Sequence, residues 1–306
     1  MLRTLVVTAL LALATLAQAA DKKNILMLAG KPSHGPAQHE HNAGIQLLAK
    51  CLQQHDGDKL AVTVHLNAEW PSAEELAKAD TIVMYADGGG GHPAIQADHL
   101  EQLTKEMKRG CGFVCLHYAT EIPADKGGPE FLQWLGGYFE ANWSVNPHWE
   151  AEYKELPKHP IANGVKPFTT NDEWYFHMRF PEAMKGTSPI LTAIPPESTM
   201  SRKDGPHEGN PTVRAEVAAK TPQHMAWACE RADGGRGFGF TGGHFHLGWA
   251  NNDQRKLVLN AIEWTAKLEI PAGGVQSEVT DADLLANLDP KKDQLTAIPA
   301  KPEGAK

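Results

Sequence analysis

The sequence predicts an α/β protein built on a parallel sheet covered by helices on both faces. Two observations carry this. Short apolar runs alternate with amphipathic stretches through the first 116 residues, and four of these runs are separated by segments long enough for crossover helices. A third points to function: seven of the fifteen histidines fall beyond predicted strand ends, on one predicted edge of the sheet.

Asn24-Ile25-Leu26-Met27-Leu28 is the first strand, closed by Ala29-Gly30, and Ile45, Leu47, Leu48 and Leu52 mark the helix after it. Leu60 to Leu66 is the second strand. Ser72 is placed as an N-cap before Glu74-Glu75-Leu76, and Thr81 to Tyr85 is a buried strand. A glycine run follows, then a helix from about Ala94 to Arg109 and the strand Gly112 to Leu116. Beyond Thr120 the pattern loosens into an elaborated insertion containing Trp134, Trp143 and Trp149, with strand-like pieces at Trp149 to Tyr153 and Trp174 to Phe180. Regularity returns with the strand Met225 to Cys229, a turn at Asp233-Gly234-Gly235, the strand Gly237 to Thr241, and a helix from about Asp253 to Lys267. The expected organisation is a signal peptide over 1–20, one α/β domain over 21–270, and a tail over 271–306 that wraps the surface or is partly disordered.

Arg3, an apolar run from Leu5 to Leu16 and Ala17-Gln18-Ala19 have the order of a cleaved secretory signal. The run is shorter than the roughly 20 residues a bilayer span needs, so the expected location is periplasmic or extracellular with no membrane contact after cleavage. About 286 residues then remain, enough for one large core. Loss of Arg3 takes the formal charge from −8 to −9, and the basic residues are scattered, which argues against nucleic acid as a partner. No Cys-x-x-Cys occurs among the four cysteines, so they read as small core residues in preference to disulfide partners or thiolate ligands. Nothing in the sequence sets the oligomeric state.

Ligands of open parallel sheets bind beyond the carboxyl ends of the strands. His34, His39 and His41 follow the first strand, Asp87 and His92 the third, His117 the fourth, and His244 and His246 the last. In extended chain His244 and His246 project to one side, a spacing that lets two imidazoles converge on a metal or a substrate. Of the first group His34 is the best placed. Asp87-Gly88-Gly89-Gly90-Gly91-His92 lacks the Gly-Lys-Ser/Thr of a phosphate loop, so no nucleotide cofactor is expected. Gly89 and Gly90 are read as a floor whose N–H groups face an oxygen-rich ligand, and Asp87 as a base or hydroxyl acceptor. Glu173 and His177 share a strand face but lie about 13 Å apart at roughly 3.3 Å per residue, too far for one metal unless the chain bends. Trp174 and Tyr175 beside these acids suit a sugar, whose ring faces stack while carboxylates take its hydroxyls. Cys115 lies inside its strand, and the turn position belongs to His117, which argues against a thiol nucleophile.

Ser33-His34-Gly35, Val114-Cys115-Leu116-His117, Asp172-Glu173-Trp174-Tyr175 and the block from Gly235 through Gly242-Gly243-His244-Phe245-His246, followed by Trp249 and its helix, resemble the ThuA-like (trehalose-utilisation) family over about Lys23 to Leu268. The resemblance implies a flavodoxin-like sheet similar to class I glutamine amidotransferases, and a role in carbohydrate utilisation by way of oxidised (3-keto) sugars. It also implies that His117 stands where the nucleophile of that superfamily would be, which turns the expected chemistry from amidotransfer to acid–base or metal catalysis. The resulting expectation is a hydrolase, lyase or isomerase of a disaccharide or keto-glycoside. His117, His244, Asp87 and Glu173 are its catalytic groups, and His34, Gly89, Gly90, Trp174, Tyr175 and Gly243 contact the substrate. His117, His244 and His246 are placed as ligands of a divalent metal, zinc or similar. The competing expectation is a non-catalytic sugar-binding protein with Trp143, Trp149 and Trp174 as stacking platforms.

Overall fold

The computed structural model describes residues 21–298, so the signal segment expected over 1–20 lies outside it. Nine strands and seven α-helices are described: β1 (Lys23–Ala29), α1 (His41–Asp56), β2 (Leu60–His65), α2 (Ala73–Lys78), β3 (Thr81–Tyr85), α3 (His99–Lys108), β4 (Gly112–Leu116), α4 (Gly128–Trp134), β5 (His148–Tyr153), β6 (Phe168–Glu173), β7 (Thr187–Ala193), α5 (Pro211–Ala218), β8 (Gln223–Glu230), β9 (Arg236–Phe240), α6 (Asn252–Thr265) and α7 (Asp281–Leu285). The main sheet has the order β2-β1-β3-β4-β9-β8-β7, and β5 with β6 forms a separate two-stranded sheet.

The first five strands in that order are parallel, whereas β8 and β7 are antiparallel additions at one edge. The expected parallel sheet is therefore five strands of a mixed seven-stranded one. β3 and β4 are buried at all five positions, the continuous apolar signature of strands covered on both faces. One face packs Val83, Val114 and Phe238 against Leu48 of α1 and Leu259 of α6. The other packs Ile82 and Phe113 against Leu103 of α3 and Phe131 of α4. Burial of each such side chain contributes about 1.5–3 kcal/mol.

Local chemistry explains most boundaries. Ser72 and Glu75 form a reciprocal capping box at the start of α2, as the sequence predicts. The helix expected from Ala94 begins only at His99, because a 3-10 turn over Pro93–Ile95 occupies its first turn. The strand expected over Trp174 to Phe180 is instead β6, which ends at Glu173. Trp174, Tyr175 and Phe176 behind it are all buried, which an alternating half-exposed strand does not allow. β7 and α5 carry no clear periodic signal and are absent from the sequence reading. The tail folds back on the domain: Asp289, Lys291 and Gln294, beyond α7, bond to the loop before α1. No described helix is long and apolar enough to cross a membrane.

Candidate metal and acid–base site

The carboxyl ends of β1, β3, β4 and β9 meet the end of β6, and the side chains delivered there form one cluster. Nitrogens of His39, His117 and His244 and a carboxylate oxygen of Glu173 all lie within 4.8 Å of one another.

His117 directly follows β4 with φ of 54°, so the chain turns sharply and aims the imidazole back over the sheet edge. Its Nδ1–H donates to the Thr241 carbonyl (2.8 Å), which leaves a lone pair on Nε2. His39 is fixed in the same way. Its Nδ1–H donates to Asp87 Oδ1 (2.7 Å), so its Nε2 is also a bare acceptor. These two Nε2 atoms face each other at 3.0 Å, and His244 Nδ1 lies 3.0 Å from the same His39 atom. Burial, the largest influence on His39, holds that imidazole neutral against the pull of Asp87. With both far nitrogens already donating, the two Nε2 atoms face a single point at which a cation can sit. Orientation of ligating histidines by a carboxylate and a carbonyl on their far nitrogens is the usual outer shell of a metal centre. The donor set, three imidazoles and a carboxylate, suits zinc or a similar divalent ion.

Glu173 closes the cluster from the insertion. Its Oε2 is 3.1 Å from His244 Nδ1, 3.4 Å from His117 Nε2, and accepts from Tyr175 Oη at 3.2 Å. Burial alone would raise the Glu173 carboxyl, but contacts with His117, His148 and His244 outweigh it and hold it well below the ordinary carboxylate range. His148 stands directly opposite Glu173 in the β5–β6 register, half exposed, and is shifted above the usual imidazole value chiefly by Glu173. A polar cavity of about 310 Å³ opens here, lined by Asn146, His148, Glu173, Ser198, Ser201 and Arg202.

Asp172, fully buried, anchors the late loop: Gly243 N–H donates to Oδ2 (2.7 Å) and His244 N–H to Oδ1 (2.9 Å). Gly243 has φ of 106°, a conformation that excludes most side chains. Its carbonyl accepts from Tyr85 Oη.

The expected residues thus divide. His117, His244 and Glu173 converge as proposed, and Asp87 sits behind His39 as its hydrogen-bond partner. His34 is exposed at the mouth and stacks on His39, with ring centroids 3.6 Å apart. Gly89 does not turn its N–H to a ligand, since it donates to the Glu121 carbonyl (3.1 Å), and Gly90 faces open space. Tyr175 reaches the cluster through its hydroxyl, 3.2 Å from His117 Nε2. Trp174 does not face a ligand: it is buried between Tyr153 and Phe240. His246 is also out of reach. A 3-10 turn starts at His246 and ends the extended geometry on which its pairing with His244 depends, and its Nε2–H donates to the Leu284 carbonyl (3.0 Å). His39 takes the place expected of His246. His177 likewise turns away, donating from Nδ1 to the Trp143 carbonyl (2.8 Å). Sequence reasoning gave no role to His148, and Asp172 entered it only as part of the Asp172-Glu173-Trp174-Tyr175 block. Cys115 is fully buried and its thiol is pushed well up by burial, in keeping with a core residue.

Residues 24–265 match the family model ThuA, described as trehalose utilisation. Among solved structures, a ThuA-like protein from Bacteroides uniformis ATCC 8492 superposes with a TM-score of 0.57 at 17% identity, covering 81% of this chain and 93% of that one. A second, from Parabacteroides merdae ATCC 43184, gives a TM-score of 0.52 at 15% identity, covering 85% and 93%. No curated protein matches. The architecture is the flavodoxin-like, amidotransferase-like α/β fold of these proteins.

Proposed function

Because the chain belongs to the ThuA family, described as trehalose utilisation, we propose that it processes a small carbohydrate, a disaccharide or keto-glycoside, at a divalent metal held by His39, His117, His244 and Glu173. One observation carries the reading. Nε2 of His39 and of His117 face each other at 3.0 Å, with His244 and Glu173 beside them, while both far nitrogens are tied to acceptors, an arrangement that fits a bound cation.

A metal in this position would polarise a carbonyl or hydroxyl oxygen of the sugar and stabilise charge developing there. The chain's own groups supply the rest. Asn146 and Arg202 line the adjoining cavity and offer donors to sugar hydroxyls. His148, shifted above its ordinary value by Glu173 and open to the cavity, is the group placed to give a proton to a departing oxygen or return one to carbon. Tyr175 Oη, buried beside His117 Nε2 and Glu173, orients the cluster and does not ionise, because burial raises its hydroxyl well above the ordinary value.

Capture by stacked tryptophans alone has less support: Trp149 and Trp174 are buried, and Trp143 is covered by Arg179 and His177. The test is turnover of keto-glycosides and unoxidised disaccharides by protein stripped of metal and then reloaded. Activity that vanishes on chelation, returns with metal and falls at least 100-fold in His148→Ala supports the proposal; full activity in the stripped protein refutes it.

A further inference from the structure

A second group of ligating side chains lies at the opposite, amino-terminal edge of the sheet. Ligand atoms of His55, Asp56 and Glu263 fall within 4.8 Å of one another, where the C-termini of α1 and α6 meet. We propose that these three residues bind a divalent cation of the zinc or manganese kind, which ties the end of α1 to the end of α6 independently of the site described above.

The unusual member is Glu263. It has no exposed surface, and both of its carboxylate oxygens are buried without a hydrogen-bond partner. A buried carboxylate in that condition is costly unless it takes up a proton or meets a cation. Asp56, also buried, is beside it and satisfied on Oδ1 by Lys59 Nζ (2.7 Å). Two like charges so close disfavour each other unless a cation lies between them. Both helices also direct the negative ends of their dipoles here, α1 being 16 residues long and α6 14. A cation answers all three features at once. The imidazole of His55, in the last turn of α1, adds a nitrogen to two carboxylates and so favours a transition metal over calcium or magnesium.

Access and remaining coordination are available. A cavity of about 370 Å³ lined by Asp56, Lys59, Leu268, Glu269 and Pro271 adjoins the cluster and admits water to an incomplete shell. His55 Nδ1 accepts a long contact from Gln276 N–H (3.3 Å) at an exposed edge, where water can replace it when the imidazole ligates. The three ligands come from the ends of two helices, so the expected role is to hold those helices together.

The experiment counts Mn²⁺ equivalents bound by the full chain, by spin resonance and elemental analysis, with melting temperature followed in parallel. Wild type is expected to bind two equivalents. Glu263→Gln, which has the shape and charge of the protonated acid, retains one and loses the part of the Mn²⁺-induced rise in melting temperature that His117→Ala keeps. His55→Ala, altered at a partly exposed position that the core does not need, binds the second equivalent about 10- to 100-fold more weakly. Glu263→Gln binding as many equivalents as wild type, or His117→Ala binding none, overturns the proposal. Wild type that binds a single equivalent, lost in Glu263→Gln and kept in His117→Ala, would instead count against the catalytic metal.

Discussion

Replacing Asp87 by Asn separates two roles that this residue can have. In the sequence it is a candidate catalytic base; in the structure its Oδ1 accepts the Nδ1–H of His39 at 2.7 Å, with Ser33 Oγ donating to the same oxygen at 3.0 Å. Asn keeps an acceptor of the same shape and removes only the charge, so His39 stays in place while its Nε2 becomes a weaker donor to metal. Loss of such an outer carboxylate typically lowers metal affinity 10- to 100-fold, about 1.4–2.7 kcal/mol. The shape-preserving substitution belongs at the lower end, near tenfold, and Asp87→Ala, which also frees the His39 ring, near a hundredfold. The assay is competition with a chromophoric chelator at fixed pH, run beside turnover at saturating metal. Tenfold weaker binding with turnover restored to within a few-fold by excess metal is the expected result. Unchanged affinity with turnover lost would make Asp87 a reacting group and refute the positioning role.

Asp172→Asn is expected to destabilise the domain by about 2–4 kcal/mol in urea, because one amide oxygen must replace two carboxylate oxygens that accept from Gly243 and His244; a loss under about 0.5 kcal/mol would contradict the anchoring role. Lys291→Met leaves fully buried Glu40 without its cation, 3.1 Å away, and is expected to cost about 3 kcal/mol and to speed amide exchange through residues 35–40; unchanged exchange there would show that the tail does not hold the His39 loop. His92, fully buried, donates from Nε2 to the Ala119 carbonyl and is lowered from 6.5 to about 4 by burial. The unfolded chain takes up this proton near 6.5 and the folded one only near 4, so the stabilisation is complete above 6.5 and fades as pH falls to 4. The share is about 3 kcal/mol, and a His92→Gln variant should lack that part of the acid limb; an unchanged limb would show that His92 does not titrate as described.

Most of the sheet was legible because fully buried parallel strands leave continuous apolar runs, as in Thr81–Tyr85 and Gly112–Leu116. The rule that loops at their carboxyl ends carry function then gathered His117, His244 and Asp87 from distant parts of the sequence. What failed was local geometry. The pairing of His244 with His246 assumed extended chain, whereas a 3-10 turn begins at His246, and the left-handed φ of 45° that brings in His39 has no sequence mark in a non-glycine residue. Trp174 illustrates a different limit. An aromatic beside two acids suggests a sugar platform, yet whether it faces solvent depends on Phe240 and Tyr153, which arrive from other strands. His148 was hidden for a similar reason, since only the pairing of β5 with β6 sets it opposite Glu173.

The most direct measurement of the account is X-ray absorption on zinc-loaded protein with the His55 cluster silenced by Glu263→Gln, comparing it with His39→Ala and His246→Ala in that background. The cluster of His39, His117, His244 and Glu173 predicts three imidazoles in the parent, one fewer or no bound zinc in His39→Ala, and an unchanged spectrum in His246→Ala. A spectrum that loses an imidazole with His246 and keeps all of them without His39 would contradict it.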